Sequence, residues 1–508
     1  MPNTTNTKRI AKNTLLLYFR MILVSVVSLF TTRIMLEQLG VENFGIYNVV
    51  GGIVGFLGML NGSMTSATQR FLAFELGSGD VKSYNRVFSM LLTIFIALSV
   101  ILMIIALAIG PWLINDFIVI PVEKRSVAML VYYFSVVTFF VSLIAIPYMS
   151  SIIAHEKMGV YAFMSFIEVI LKLVLVYVLY ISAFDKLLTY GFLTMAVAFM
   201  ITMSYCVYCV YKIKGCNYHF FWEKALFRQL LSYIGWNLFG SVTAILNYQG
   251  QTIVLNLFFG PLVNAAKAIS DKINGIVGSF SNNFFMAVRP QIIKSYASGD
   301  LDYMFKLVNR SSKFSFFLLF LLTLPLIMLM QKILTLWLGA NQVTTNMVVF
   351  SQLMLVFSLI NVFESPITTM IQATGNIKKY EIIIGSGTLL LLPICYYLFT
   401  IGFPAYYSLI VLILIYAVAQ IFRLLIAKQQ VGLSIRYYFN SVFAPVIISS
   451  APSAVLSYYL CKFFPDNFFG IIYSVVTCLL ITLLFVFFLG LNRSEKKTSI
   501  NFIKAKLR

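Results

Sequence analysis

Long apolar stretches, each closed by a polar or basic break, follow one another along almost the whole chain. They fall near residues 13–35, 44–69, 87–113, 127–153, 160–182 and 187–211. After a basic connector (Lys212 to Arg228) come 230–258, 262–288, 312–333, 347–373, 380–401 and 404–427, and then 439–461 and 468–490. A bilayer asks for roughly 20 apolar residues per helix, so the pattern predicts about fourteen spanning helices in an all-α polytopic membrane protein.

The predicted helix over 262–288 breaks the apolar pattern in an ordered way. Asn264, Lys267, Asp271, Asn274, Gly278 and Asn282 recur three or four residues apart. At roughly 100° per residue they make one stripe about 80° wide. Charged groups at mid-membrane cost roughly 2.5–3.5 kcal/mol each on insertion scales, so this stripe is expected to face a bundle interior or a wet cavity.

The same unit occurs about 220 residues earlier. Gly40 matches Gly260, Ile53 matches Ile273, Gly55 matches Gly275, Gly58 matches Gly278 and Ala67 matches Ala287. The run Ser78-Gly79-Asp80 matches Ser298-Gly299-Asp300, and a weaker echo sets Pro147, Ile152, Ala154 and Tyr161 against Pro366, Ile371, Ala373 and Tyr380. We read an internal duplication in which helices one to six and seven to twelve share one orientation, leaving the last two outside it. The boundaries expected are 1–211 for the first six-helix lobe, 212–229 for the connector and 230–427 for the second lobe. Helices thirteen and fourteen fill 428–490, and 491–508 is a basic tail.

Composition agrees. The 508 residues are 60% apolar and 11% charged, with mean hydropathy +0.91, whereas soluble domains carry about 25% charged residues. The net charge of +20 is absorbed by topology rather than by nucleic acid, because Lys and Arg crowd alternate loops about four to one. That asymmetry puts both termini in the cytoplasm. Lys8, Arg9 and Lys12 precede a first helix that has no clear cleavage site, so it is expected to be retained. Cys206, Cys209, Cys216 and His219 lack a second paired cluster and are read as ordinary cysteines, with no metal site. Outer loops of about 15 residues or fewer leave no room for the external domain of a glycan ligase or polymerase, and no phosphate-binding Gly-rich loop appears. The chain is therefore expected not to be an enzyme.

Few ionisable residues sit within the spans: Arg20, Glu168, Lys172, Lys267, Asp271, Lys272 and Glu364. Arg20 lies about 10 Å into the first helix, where it either snorkels to the surface or offers a guanidinium that grips phosphate. Lys267 and Asp271, four apart, either pair or face the wet surface, and Lys272 is turned about 100° away. Glu168 and Lys172 read as a structural pair. Glu364, just before Pro366, is a candidate for coupling a proton or sodium ion, as are Asp271 and Glu168. The seventh helix adds Asn237, Ser241, Tyr248 and Gln251, polar groups suited to a hydroxyl-rich ligand or to interhelical bonds. Gly51, Gly55, Gly58 and Gly62 in the second helix suit close packing.

Four features near the N-terminus carry a resemblance. Asn13 precedes the first helix, Gly40-Val41-Glu42-Asn43-Phe44-Gly45-Ile46-Tyr47 enters the second, and Gln69-Arg70-Phe71 leads to Gly77-Ser78-Gly79-Asp80. Over its whole length the chain resembles the polysaccharide transporters, or Wzx-type O-antigen flippases, of the multidrug/oligosaccharidyl-lipid/polysaccharide exporter superfamily. The resemblance implies two pseudo-symmetric six-helix MATE-like lobes forming a cavity of alternating access in the bacterial cytoplasmic membrane. Its implied cargo is an undecaprenyl-diphosphate-linked oligosaccharide, moved from inner to outer leaflet. Membrane lipid, glycosyltransferases and a glycan polymerase are the other partners, and there is no cofactor beyond a coupling ion, H+ or Na+. By position, the family's cavity cations fall on Arg20 and Lys267, with Lys272 beside them; the second helix has no such cation. The rival within this fold is a cation-coupled multidrug exporter, and outside it a non-transporting scaffold.

Overall fold

The structure, a computed structural model, describes residues 12–27, scattered positions between 31 and 58, and then 61–112, 114–115, 121–339, 343–465 and 467–497. Gly40, Val41, Glu42, Phe44, Gly45, Ile53 and Gly55, read above, lie outside the described residues. Those described form helices and turns and no strand. Among these described residues, ten helices are long and apolar enough to cross a membrane.

In chain order the helices are α1 (residues 12–27), α2 (Asn61–Ser78), α3 (Val81–Trp112), α4 (Arg125–Ala154), α5 (Met158–Ile181) and α6 (Lys186–Lys212). There follow α7 (Lys224–Phe259), α8 (Pro261–Ala297) and α9 (Leu301–Met328), after which comes a short unnumbered helix, Met330–Leu338. The last five are α10 (Thr345–Ala373), α11 (Lys378–Thr400), α12 (Tyr407–Val431), α13 (Ile435–Cys461) and α14 (Phe468–Gly490). The chain divides into two compact units. Unit 1 is Met1–Ser241 with Ile293–Gly299, and unit 2 is Val242–Ile292 with Asp300–Arg508.

In unit 1, α4 packs against α2, α3 and α6. In unit 2, α12 packs against α10 and α11, and a core of Leu255, Val263, Phe350, Leu391, Phe399 and Leu409 joins α7 and α8 to them. The α13–α14 hairpin docks on α9. Its end is fastened by a buried ion pair, Lys313 Nζ to Glu495 Oε2 at 2.6 Å.

Helices at the basic loops run further than hydropathy suggests. The span predicted to end at 288 continues to Ala297, and the one predicted to begin at 312 starts at Leu301. The extensions are polar, so a hydropathy window stops early, but the local signals persist. Gly299 takes a left-handed φ of +77° and Asp300 caps α9, its side chain accepting from Tyr303 N at 3.0 Å. The matching run makes the matching turn, with Gly79 at φ +81° and Asp80 Oδ1 accepting from Lys82 N at 2.8 Å. The repeated triplet is thus a stop-and-start signal between two helices.

Candidate functional site

The polar stripe of α8 lines a cavity in unit 2. Its volume is about 210 Å³, and Asn274, Gly278, Ser281, Asn282 and Phe285 of α8 form one wall. Ser315 and Leu319 of α9 and Phe357, Ser358, Asn361 and Ser365 of α10 form the others. None of the lining residues is charged.

A break in α10 shapes this cavity. The helical hydrogen-bond ladder of α10 is interrupted at Val362 and Phe363, because Pro366 has no N–H to offer the Val362 carbonyl. Asn361 and Ser365 flank the break and both face the cavity. Ser358 Oγ donates to Asn274 Oδ1, tying α10 to α8. Ser281 Oγ, Ser315 Oγ and Asn361 Oδ1 are buried with no hydrogen-bond partner among the described residues. Orphaned groups of this kind cost about 1–3 kcal/mol each unless water or a ligand meets them. Water or a neutral polar ligand in the cavity would meet them.

The charged residues are placed elsewhere. Lys267 is 2% exposed and its Nζ sits 2.8 Å from Asp271 Oδ2 and 3.9 Å from the Tyr248 ring centroid. Its charge is spent within α7 and α8, and it does not line the cavity. Lys272 is exposed, and Asn264 Oδ1 is buried without a partner. Gln251 is buried and its Nε2 donates to Ser408 O at 3.5 Å.

Below the break lies a polar network that hydropathy alone does not reveal. Glu364 Oε1 accepts from Arg423 Nη2 at 2.8 Å, and Arg423, 1% exposed, also donates to Tyr380 Oη and Gln420 Oε1. Gln420 Nε2 donates at 3.3 Å to the Phe363 carbonyl, which caps the segment beyond the break. Glu381 is buried on α11 beside these residues. Arg423 and Glu381 escape the sequence reading because they lie near the ends of predicted spans, where charges are usual. The signal that was available is α12's continuation: no Gly or Pro interrupts it until Gly432.

In unit 1, Arg20 Nε donates to Ser165 Oγ at 2.6 Å and its guanidinium lies 4.5 Å from the Tyr161 ring centroid. Those contacts use Nε and the flat face, and neither Nη group. Glu168 and Lys172 pair at 2.6 Å on an exposed side of α5. Asn237 is buried and donates to Tyr233 O within its own helix at 3.5 Å. The sequence reading missed Asn247, whose side-chain nitrogen and oxygen are both buried and unpartnered. Residues 243, 247 and 251 share its helix face, at the i, i+4 spacing.

No protein-family model and no curated protein matches the chain. Solved structures do. An outward-facing multidrug resistance MATE family transporter of the MOP superfamily is 15% identical, with 84% of this chain and 96% of that chain covered at a TM-score of 0.71. MATE in complex with MaD3S is 14% identical over the same shares, with a TM-score of 0.72. A MOP superfamily transporter from Pyrococcus furiosus Vc1 (DSM3638), whose binding pocket of reverse polarity suggests a different function, is 15% identical over the same shares at 0.70. The fold is thus that of MATE transporters of the MOP superfamily. With ten apolar helices of spanning length among the described residues, the chain is a multi-pass membrane protein.

Proposed function

We propose that the protein is a flippase for a lipid-linked oligosaccharide, working by alternating access between two six-helix halves, with α13 and α14 as an addition. The observation that carries this reading is the unit 2 cavity. Amides and hydroxyls with orphaned atoms line it, phenyl rings flank it, and it holds no charge. Such a surface suits sugar hydroxyls. A cationic drug gains little there, because no carboxylate faces the space.

The undecaprenyl diphosphate end asks for cations, since about two negative charges cannot enter hydrocarbon unaided. Arg20 is the residue we assign to it, with two Nη groups left for a bidentate grip. Lys267 is then a structural cation held by Asp271. In this reading the protein sits in the bacterial cytoplasmic membrane with both termini inside and carries out no covalent chemistry. Glycosyltransferases supply its cargo and a polymerase consumes it. Glu364 remains a candidate for ion coupling only when its pairing with Arg423 opens.

The test is reconstitution of the full chain in liposomes containing a fluorescent undecaprenyl-diphosphate oligosaccharide, with translocation read by protection from an external glycosidase. Protein-dependent loss of protection, abolished by Asn361→Leu and by Arg20→Ala, is expected. The alternative, multidrug export, is favoured by the likeness to multidrug MATE structures. Ion-driven movement of a cationic dye without glycan translocation would establish it and end the flippase reading.

A further inference from the structure

Unit 1 contains a cavity of its own, about 220 Å³, between α2 and its N-terminal approach, α4 and α6. Its lining is related to that of the unit 2 cavity by the repeat. Gly58 and Asn61 stand where Gly278 and Ser281 stand, and Thr138, Phe139 and Ser142 where Phe357, Ser358 and Asn361 stand. Only the glycine is identical. The others are exchanged in pairs: amide and hydroxyl swap between Asn61/Ser142 and Ser281/Asn361, and hydroxyl and phenyl swap between Thr138-Phe139 and Phe357-Ser358. Each chamber thus keeps one amide, two hydroxyls and one ring at these four positions. Packing alone would not require that composition to persist while every residue changed.

The serine and threonine hydroxyl hydrogens of the unit 1 chamber are already committed. Ser135, Thr138 and Ser142 donate to Val131, Phe134 and Phe139 carbonyls at 2.9, 2.8 and 2.7 Å, and Thr194 donates to Tyr190 O at 2.8 Å. What these groups have left is lone pairs. Among the described residues Asn61 Oδ1 is buried with no hydrogen-bond partner, as is Ser281 Oγ at the matching position. With Tyr47 Oη and Asn61 Nδ2 as the side-chain donors that line it, the chamber therefore presents more acceptor lone pairs than donors to meet them. A monovalent cation would meet them too, but no carboxylate lines the chamber to offset a desolvated charge. A neutral ligand rich in O–H donors satisfies the acceptors without that cost, and the ring of Phe139 offers an apolar face to its C–H groups.

We propose that unit 1 holds a second, repeat-related site for a neutral polyhydroxyl ring, with Asn61, Thr138 and Ser142 as its acceptors. The choice of a sugar as ligand rests on the reading of the unit 2 cavity given above.

The experiment uses the detergent-purified full-length protein with methyl α-glucoside and N-acetylglucosamine as probes, binding being read by saturation-transfer NMR in sodium and in choline chloride. Wild type, a unit 1 variant (Asn61→Leu) and a unit 2 variant (Asn361→Leu) are compared. Ser142→Ala, which removes one acceptor and leaves the chamber open, serves if Asn61→Leu misfolds. Each variant is expected to weaken binding about tenfold at its own chamber and leave a residual signal from the other, the double variant being silent. If Asn361→Leu alone abolishes the signal and the unit 1 variants leave it unchanged, the second site is overturned while the flippase reading stands. If neither probe binds wild type, both fall. Sodium-dependent thermal stabilisation lost in Asn61→Leu, without sugar binding, would make the chamber a cation site and overturn the proposal.

Discussion

Lys267 and Asp271 give a perturbation whose outcome separates a structural cation from a working one. The Lys267 side chain is 3% exposed and Asp271 15%, at 2.8 Å. Asp271→Asn removes the counter-charge and leaves an ammonium enclosed. Breaking a buried pair from one side costs about 3–5 kcal/mol, because the survivor keeps its desolvation penalty. The Tyr248 ring at 3.9 Å returns roughly 0.5–2 kcal/mol of this through its quadrupole. The net loss is about 2–4 kcal/mol, or roughly 4–16 °C in melting temperature at about 2–4 °C per kcal/mol. Replacing both residues, Lys267→Met with Asp271→Leu, removes the stranded charge and should recover most of the loss. The assay is thermal unfolding of the four proteins of the cycle in one detergent, with translocation measured alongside. A structural pair predicts an unstable single variant and a stable, active double variant. Additive losses, or a stable double variant that no longer transports, would refute the assignment.

Gly77→Ala should destabilise unit 1 by about 1–3 kcal/mol or more, because the new Cβ would lie 2.6 Å from Ala297 Cβ and 2.7 Å from Lys294 O, helix atoms that cannot retreat; an unchanged melting temperature would contradict this. Glu495→Gln should strand Lys313 and loosen the end of α14, read as faster amide exchange over residues 491–497 with the rest of unit 2 unaltered. His155, in the α4–α5 turn, is held below the ordinary imidazole range by burial, and Lys294 and Lys157 act in the same direction against the Ser151 carbonyl and Glu156. Its folded pKa is depressed, so its stabilising contribution is present above the unfolded value of about 6.5 and fades as pH falls below it. His155→Asn should accordingly flatten the loss of thermal stability between pH 7 and pH 5, and an identical pH profile would remove His155 as its cause.

The helices were legible because bilayer length and backbone satisfaction leave a hydrophobic stretch few alternatives, and Ser298-Gly299-Asp300 marked its turn through φ and capping alone. The stripe on α8 was legible for the same periodic reason, and Asn274, Gly278 and Asn282 do line one cavity. Facing on α7 was less so. Asn237, Ser241, Tyr248 and Gln251 make a consistent stripe, yet the buried polar groups are Asn237, Thr243, Asn247 and Gln251, a face turned by roughly 60° at 100° per residue. Periodicity finds that a helix has sides; the neighbours decide which side is covered, as Ser408 does for Gln251. Arg423 shows another limit. A charge near a span's end reads as a flank until the partner that draws it inward, Glu364 of another helix, is seen.

The gap in α10 looks like a place to bend, but the Phe363 carbonyl beside it is held by Gln420, which in turn accepts from Arg423. A joint bolted in this way is stiff at rest. Flexing it breaks the Gln420 bond and unseats a guanidinium together, so the lower segment of α10 should swing only when α12 travels with it.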